Sequence, residues 1–170
     1  MSLNPSAGLL GHTIIDQNKI KGPNFNSQDG HLEAFLNDQR IIEECNRALK
    51  IDPENYLSLD EILYKARRGD SVIIDAIGKF IRYIAIAVAN TYNIYGPDHI
   101  ILGGRIFEIS NLLLPETIKM VKKMLIFPPD REDFIKISKL GVFAGSIGAT
   151  TPFFEKFYSI PEPTRNFIDR

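Results

Sequence analysis

The apolar positions between His31 and Lys50 are Leu32, Phe35, Ile42, Cys45 and Leu49, which is helical spacing with one buried face. The pattern predicts a helix over that span, ended by Asp52-Pro53. Ser58-Leu59-Asp60-Glu61 is a capping box, in which the Ser oxygen can accept the backbone N–H three residues on and the Glu can reach back. It opens a short helix to about Arg68, stopped by Gly69. Asp70 is placed to cap a long helix from Ser71 to about Asn93, with a polar stripe at Asp75, Lys79 and Arg82. From Tyr83 to Ala89 that helix is apolar all round, so it is expected to lie buried between layers. A further helix runs from about Ser110 to Leu125, with Pro115 near its start, and Phe127-Pro128-Pro129-Asp130 breaks it. Gly141 to Gly148 reads as a glycine-punctuated turn entering a last helix that ends near Tyr158.

Short strands are predicted at Ile14-Ile15, His99–Leu102 and Phe134–Ile137. Strands alternating with helices give an α/β class, a small sheet covered by several helices. Three or four strands are few for so many helices. The chain therefore reads as part of a larger fold, or as a protomer completed by a partner. Residues 1–6 are expected to be a leader or an expression scar, residues 7–158 the folded unit, and residues 159–170 an extended tail.

The chain has 170 residues, enough for one domain with a real core. Its 20 Lys and Arg nearly balance its 21 Asp and Glu, so no global field exists to hold nucleic acid or an anionic membrane. A single cysteine, Cys45, cannot form an internal disulfide, which fits a cytoplasmic setting. The apolar run Tyr83–Ala89 is far short of the ~18 residues that span a bilayer, and the first residues do not resemble a signal peptide. No membrane association is expected.

Chemistry has few carriers. Gly103-Gly104 follows an apolar strand, where glycines let a phosphate approach backbone N–H groups, although such a pair more often makes a plain turn. Gly145 and Gly148 are better explained by close helix–strand packing. His12, His31 and Glu33 could contact sugar hydroxyls, because a carboxylate accepts hydrogen bonds and an imidazole can accept or donate. His12, His31 and Asp29 lack the tight His/Cys spacing of a zinc site, so no metal is expected, and no cofactor. His99 reads as structural, and Cys45 as a core residue. Arg67-Arg68 and Lys122-Lys123 read as solvated helix residues, without a nucleic-acid-binding motif beside them.

Several motifs occur in order: Ala7-Gly8-Leu9-Leu10-Gly11-His12-Thr13, Gly30-His31-Leu32-Glu33-Ala34, Pro97 to Gly104, Leu140-Gly141 and Ala144 to Ala149. Together they resemble the C-terminal lobe of the ROK family (repressors, open reading frames and sugar kinases), over about residues 7–158. The resemblance implies an actin-like/ribonuclease-H-like ATPase fold, with sugar and ATP bound in a cleft between two lobes. His12 matches the histidine of the family's Glu-x-Gly-His sugar motif, but Leu9 stands where the glutamate belongs. In the family's cysteine-rich zinc loop, Asn24, Asn26 and His31 occupy the three cysteine positions, while Glu33 matches a final glutamate that contacts sugar. The nucleotide loop matches at Gly103 and Gly104 and then departs at Arg105; Val142 and Phe143 replace acidic residues.

These departures point away from catalysis. Leucine cannot accept a sugar hydroxyl, and asparagine is a poor zinc ligand beside a thiolate. The family's Asp-x-Gly-x-Thr phosphate loop does not occur in these residues. The resemblance therefore implies the sugar-sensing and dimerisation lobe of a transcriptional regulator of the xylose- or N-acetylglucosamine-repressor type. Such a lobe would be catalytically inactive by itself, would form a homodimer through the Ser71–Asn93 helix, and would not bind DNA. The alternatives are a lobe of a glucokinase-like or N-acetylmannosamine-kinase-like sugar kinase, and a degenerate lobe serving only as an interaction module.

Overall fold

The computed structural model describes residues 8–16, 30–131 and 133–158. Seven α-helices and one two-stranded sheet are found among them. The expectations for residues 1–6, for Asn24, Asn26 and Asp29, and for the 159–170 tail lie outside the described residues.

The first region opens with a 3-10 turn, Leu10–His12. The strand expected at Ile14-Ile15 is a single antiparallel bridge from Ile14 to His31. The helix expected from His31 to Lys50 is two helices, α1 (Leu32–Phe35) and α2 (Asp38–Ala48). Asn37 makes the break. Its Nδ2 donates to the Glu33 carbonyl at 2.7 Å, and its Oδ1 accepts the Arg40 N–H at 2.9 Å. One side chain thus closes α1 and caps α2.

The capping box at Ser58 and Glu61 starts α3 (Leu59–Arg67), as predicted. Asp70 accepts from the Val72 and Ile73 N–H groups and starts the next helix. The long helix from Ser71 is interrupted, giving α4 (Ser71–Gly78) and α5 (Ile81–Tyr95). At the junction the Phe80 N–H bonds to Ile77 C=O, a tighter three-residue closure. Gly78 weakens the helix there, and the buried Phe80 ring anchors the turn in the core.

β1 (Ile100–Leu102) and β2 (Ile135–Ile137) pair in parallel, with Ile101 opposite Lys136. The connection between them carries α6 (Ser110–Met124), the crossover that a parallel pair requires. The sheet is thinner than the three or four strands expected: among the described residues it has two. After β2 come a 3-10 turn, Gly141–Phe143, and α7 (Ala144–Tyr158). Gly145 and Gly148 lie inside α7.

One core joins α2 to α6 and the sheet. Ile41 and Cys45 of α2, Ile62 of α3, Ile73 and Ile77 of α4, Ile84 of α5, Val121 of α6 and Phe134 are all but inaccessible within it. The expectation that Tyr83 to Ala89 is enclosed holds: Ile84, Ala85, Val88 and Ala89 are buried, and Tyr83, Ile86 and Ala87 are partly buried. An apolar cavity of about 210 Å³ lies between the first 3-10 turn, α1, α5 and β1, bordered by Leu10, Leu32, Val88, Ile100 and Phe107.

Candidate functional site

His12 ends the first 3-10 turn, and His31 and Glu33 sit at the start of α1. Three backbone bonds bring these segments together. Leu32 N–H donates to Thr13 C=O at 2.9 Å, and the Ile15 and Asp16 N–H groups both reach Gly30 C=O. Gly30 is required for this approach. Its φ is +82°, and a Cβ there would lie 2.0 Å from the Asp16 carbonyl oxygen.

The result is a compact group of side chains. His12 Nε2 lies 3.9 Å from Glu33 Oε2, with both side chains about one-third exposed. His12 Nδ1 lies 3.4 Å from Nδ1 of His31, whose ring is buried, and the two rings meet edge to face. In a bond between two Nδ1 atoms one ring donates and the other accepts. If His31 donates, His12 carries its proton on Nε2 and presents it toward Glu33. The 3.9 Å gap is too long for a direct hydrogen bond. A hydroxyl at about 2.8 Å from each atom closes the triangle, accepting from the imidazole and donating to the carboxylate. Leu9, where the resemblance implies a glutamate, is 49% exposed beside this group and adds no acceptor.

The two histidines are also close enough to share a metal ion. A separation of 3.4 Å also suits two nitrogens on one tetrahedral ion at about 2.0–2.1 Å. Two imidazoles are half of a structural site, and among the described residues no group of three or more His, Cys, Asp or Glu could hold a metal. The described donors do not fit a structural zinc.

Gly103 and Gly104 form a separate feature at the carboxyl end of β1, the end where parallel sheets bind ligands. Gly104 has φ +116°, so the turn itself calls for glycine, while a Cβ on Gly103 would make only ordinary contact with Ser138. The plain turn thus accounts for Gly104. Arg105, which follows, pairs with Asp60 of α3, and Arg67 of α3 pairs with Glu108, so two ion pairs fasten the segment after the loop to α3. Gly145 and Gly148 are not packing glycines, because a Cβ at either would meet nothing within 4 Å.

His99 is structural, as expected. Its Nδ1 meets the Asp133 carbonyl at 3.1 Å and its Nε2 meets Lys136 Nζ at 3.2 Å, which ties the start of β1 to β2. Cys45 is fully buried, and burial raises its thiol pKa to about 11, so it is a core residue. Asn37 was not singled out from the sequence, yet it fixes the end of the turn that carries Glu33. Asn37-Asp38 before an apolar-periodic run is a helix-start signal that could have found it.

The chain as a whole is similar to known proteins. The family model described as ROK family matches residues 4–154. A putative xylose repressor from Caldicellulosiruptor sp. (strain Rt8B.4) is 24% identical over 165 residues, covering 92% of this chain and 41% of the relative. A glucokinase from Halalkalibacterium halodurans is 26% identical over 159 residues, covering 86% of this chain and 47% of the relative. The chain thus spans less than half the length of these curated relatives. Among solved structures, a ROK family glucokinase from Streptomyces griseus, in complex with glucose and AMPPNP, superposes with a TM-score of 0.69 at 21% identity. That match covers 84% of this chain and 50% of the other, and it carries the actin-like ATPase fold. From residue 4 to residue 154, through the histidine turn, the β1 loop and most of α7, the chain belongs to the ROK family.

Proposed function

We propose that this chain is the sugar-sensing and dimerisation lobe of a ROK-type transcriptional regulator, inactive in phosphoryl transfer by itself. One observation carries the reading. His12 and Glu33 come from segments 21 positions apart and stand 3.9 Å apart, part-exposed, able to share one sugar hydroxyl. The residues that would turn such a contact into catalysis are missing from these 170 positions. Leu9 replaces an acceptor, and the Asp-x-Gly-x-Thr phosphate loop does not occur. Without an aspartate base and a cradle for the phosphates, binding has no route to transfer. The lobe works in the cytoplasm as a homodimer, uses no cofactor, and leaves DNA contact to a separate helix-turn-helix. The similarity to the xylose repressor supports this reading.

The similarity to the Halalkalibacterium halodurans glucokinase favours a second reading, one lobe of an ATP-dependent sugar kinase. A third reading, a lobe that only mediates protein contacts, predicts no sugar binding at all. Calorimetric titration with xylose, glucose and N-acetylglucosamine tests the proposal. Saturable binding of at least one sugar is expected, weakened about tenfold or more by Glu33→Gln, since a hydrogen bond to a charged acceptor contributes about 1.5–3 kcal/mol. Absence of saturable binding by any of the three, or binding indifferent to both Glu33→Gln and His12→Ala, would contradict it.

A further inference from the structure

We infer that His31 is a positioning residue: its Nδ1–H donates to Nδ1 of His12 and so holds the His12 proton on Nε2, facing Glu33. The inference rests on the proposed sugar contact of His12 and Glu33, and it names the group that orients that contact. The backbone fixes His31 first. A bridge to Ile14 holds its main chain, and the next residue, Leu32, donates its N–H to the Thr13 carbonyl at 2.9 Å. His31 stands at the N-cap of α1, yet its side chain makes no cap bond, so the imidazole is not consumed by the helix start. The residue is only 8% exposed. Its Nδ1 lies 3.4 Å from Nδ1 of His12, and the two rings meet at 75° with centroids 5.6 Å apart.

Glu33 selects the direction of this bond. A neutral imidazole carries one N–H and one bare nitrogen, so either ring can donate. With His12 as donor, its Nε2 would turn a lone pair toward Glu33 Oε2, 3.9 Å away, and two acceptors would face each other. A carboxylate favours an N–H directed at it, which draws the His12 proton to Nε2. Nδ1 of His12 is then the acceptor, and the donor is Nδ1 of His31. Glu33 on one side and His31 on the other thus choose the same tautomer. A hydroxyl placed between Nε2 and Oε2 accepts from the first and donates to the second. With the tautomer reversed, that hydroxyl would meet two acceptors with one proton to give. His31 acts on the ligand through His12.

Heteronuclear NMR of the isotope-labelled 170-residue chain tests this without any sugar. At about pH 8, where an ordinary imidazole is neutral, and with a chelator present, it reads the tautomer of each ring. The Nδ1–H form is expected for His31 and the Nε2–H form for His12. His31 in its Nε2–H form would overturn the inference, whatever the sugar result. Calorimetric titration adds the functional arm. His31→Phe keeps a planar ring without a donor, and it is expected to weaken sugar binding about threefold or more. His31→Asn offers an amide N–H in place of Nδ1–H, and it is expected to bind within about twofold of the wild type. Equal weakening by both variants would reduce His31 to a packing residue and overturn the inference. Absence of sugar binding by the wild type would contradict the sugar reading alone, and the tautomer of His31 then decides the inference.

Discussion

Asn46 shows how much one polar side chain can hold. It is fully buried near the end of α2. Its Nδ2 donates to the Ile42 and Leu57 carbonyls, and its Oδ1 accepts the Leu57 N–H at 2.8 Å. The side chain thus ties the end of α2 to the segment entering α3. Asn46→Ala strands the Leu57 N–H and carbonyl, so a loss of about 2–3 kcal/mol is expected in urea unfolding. A change within about 0.5 kcal/mol, the range of an ordinary surface substitution, would show that water replaces the side chain. None of this was legible in the sequence, where a single asparagine near a helix end reads as solvated. His12 and Glu33 were legible as candidates from their residue types and from the family motif, but their contact was not. Their spacing carries no local period, and the bridge at Gly30 that joins their segments is a tertiary contact.

At the scale of elements, local signals were read well and interruptions were not. The Ser58–Glu61 box and the Asp70 cap are written within three residues, so both were found where expected. The breaks at Asn37 and at Lys79-Phe80 were missed because apolar periodicity resumes on the far side of each. The capping box gives a pH test. Its bonds to Ser58 hold the Glu61 carboxyl below its ordinary pKa of 4.5. A folded-state pKa below the unfolded one adds stability above the unfolded value, and that stability is lost as pH falls through the folded value. Wild type should therefore unfold at a higher temperature than Glu61→Gln at neutral pH, with the gap closing below about pH 4. A gap that stays constant across the acid range would show that the carboxylate charge contributes nothing to the cap.

Among the described residues a helical core carries a two-stranded parallel sheet, with apolar surface left open at the end of α5, on β1 and along α7. The sequence pattern anticipated the α/β class and the thin sheet, because strand and helix periods differ. It could not anticipate that Ile94 and Tyr95, at the end of α5, are exposed, since an apolar residue looks the same in the sequence whether or not a second layer covers it. Among the described residues no helix is long and apolar enough to cross a membrane. No structural zinc is expected. His12 and His31 supply two imidazoles, and Asn24 and Asn26 cannot become anionic to offset the metal charge. Elemental analysis after mild dialysis should find well under one zinc per chain. About one per chain, with unfolding on chelation, would establish a real site at the two histidines.

A ROK lobe that meets sugar without turning it over releases no ADP in its presence. This is checked by following ADP release by the purified chain with a panel of hexoses and N-acetylhexosamines. The expected result is a rate indistinguishable from the sugar-free background for every sugar, including any sugar that binds in calorimetry. Sugar-dependent ADP release above background that disappears with Gly104→Val would identify the chain as a working kinase lobe and overturn the inactive-lobe reading.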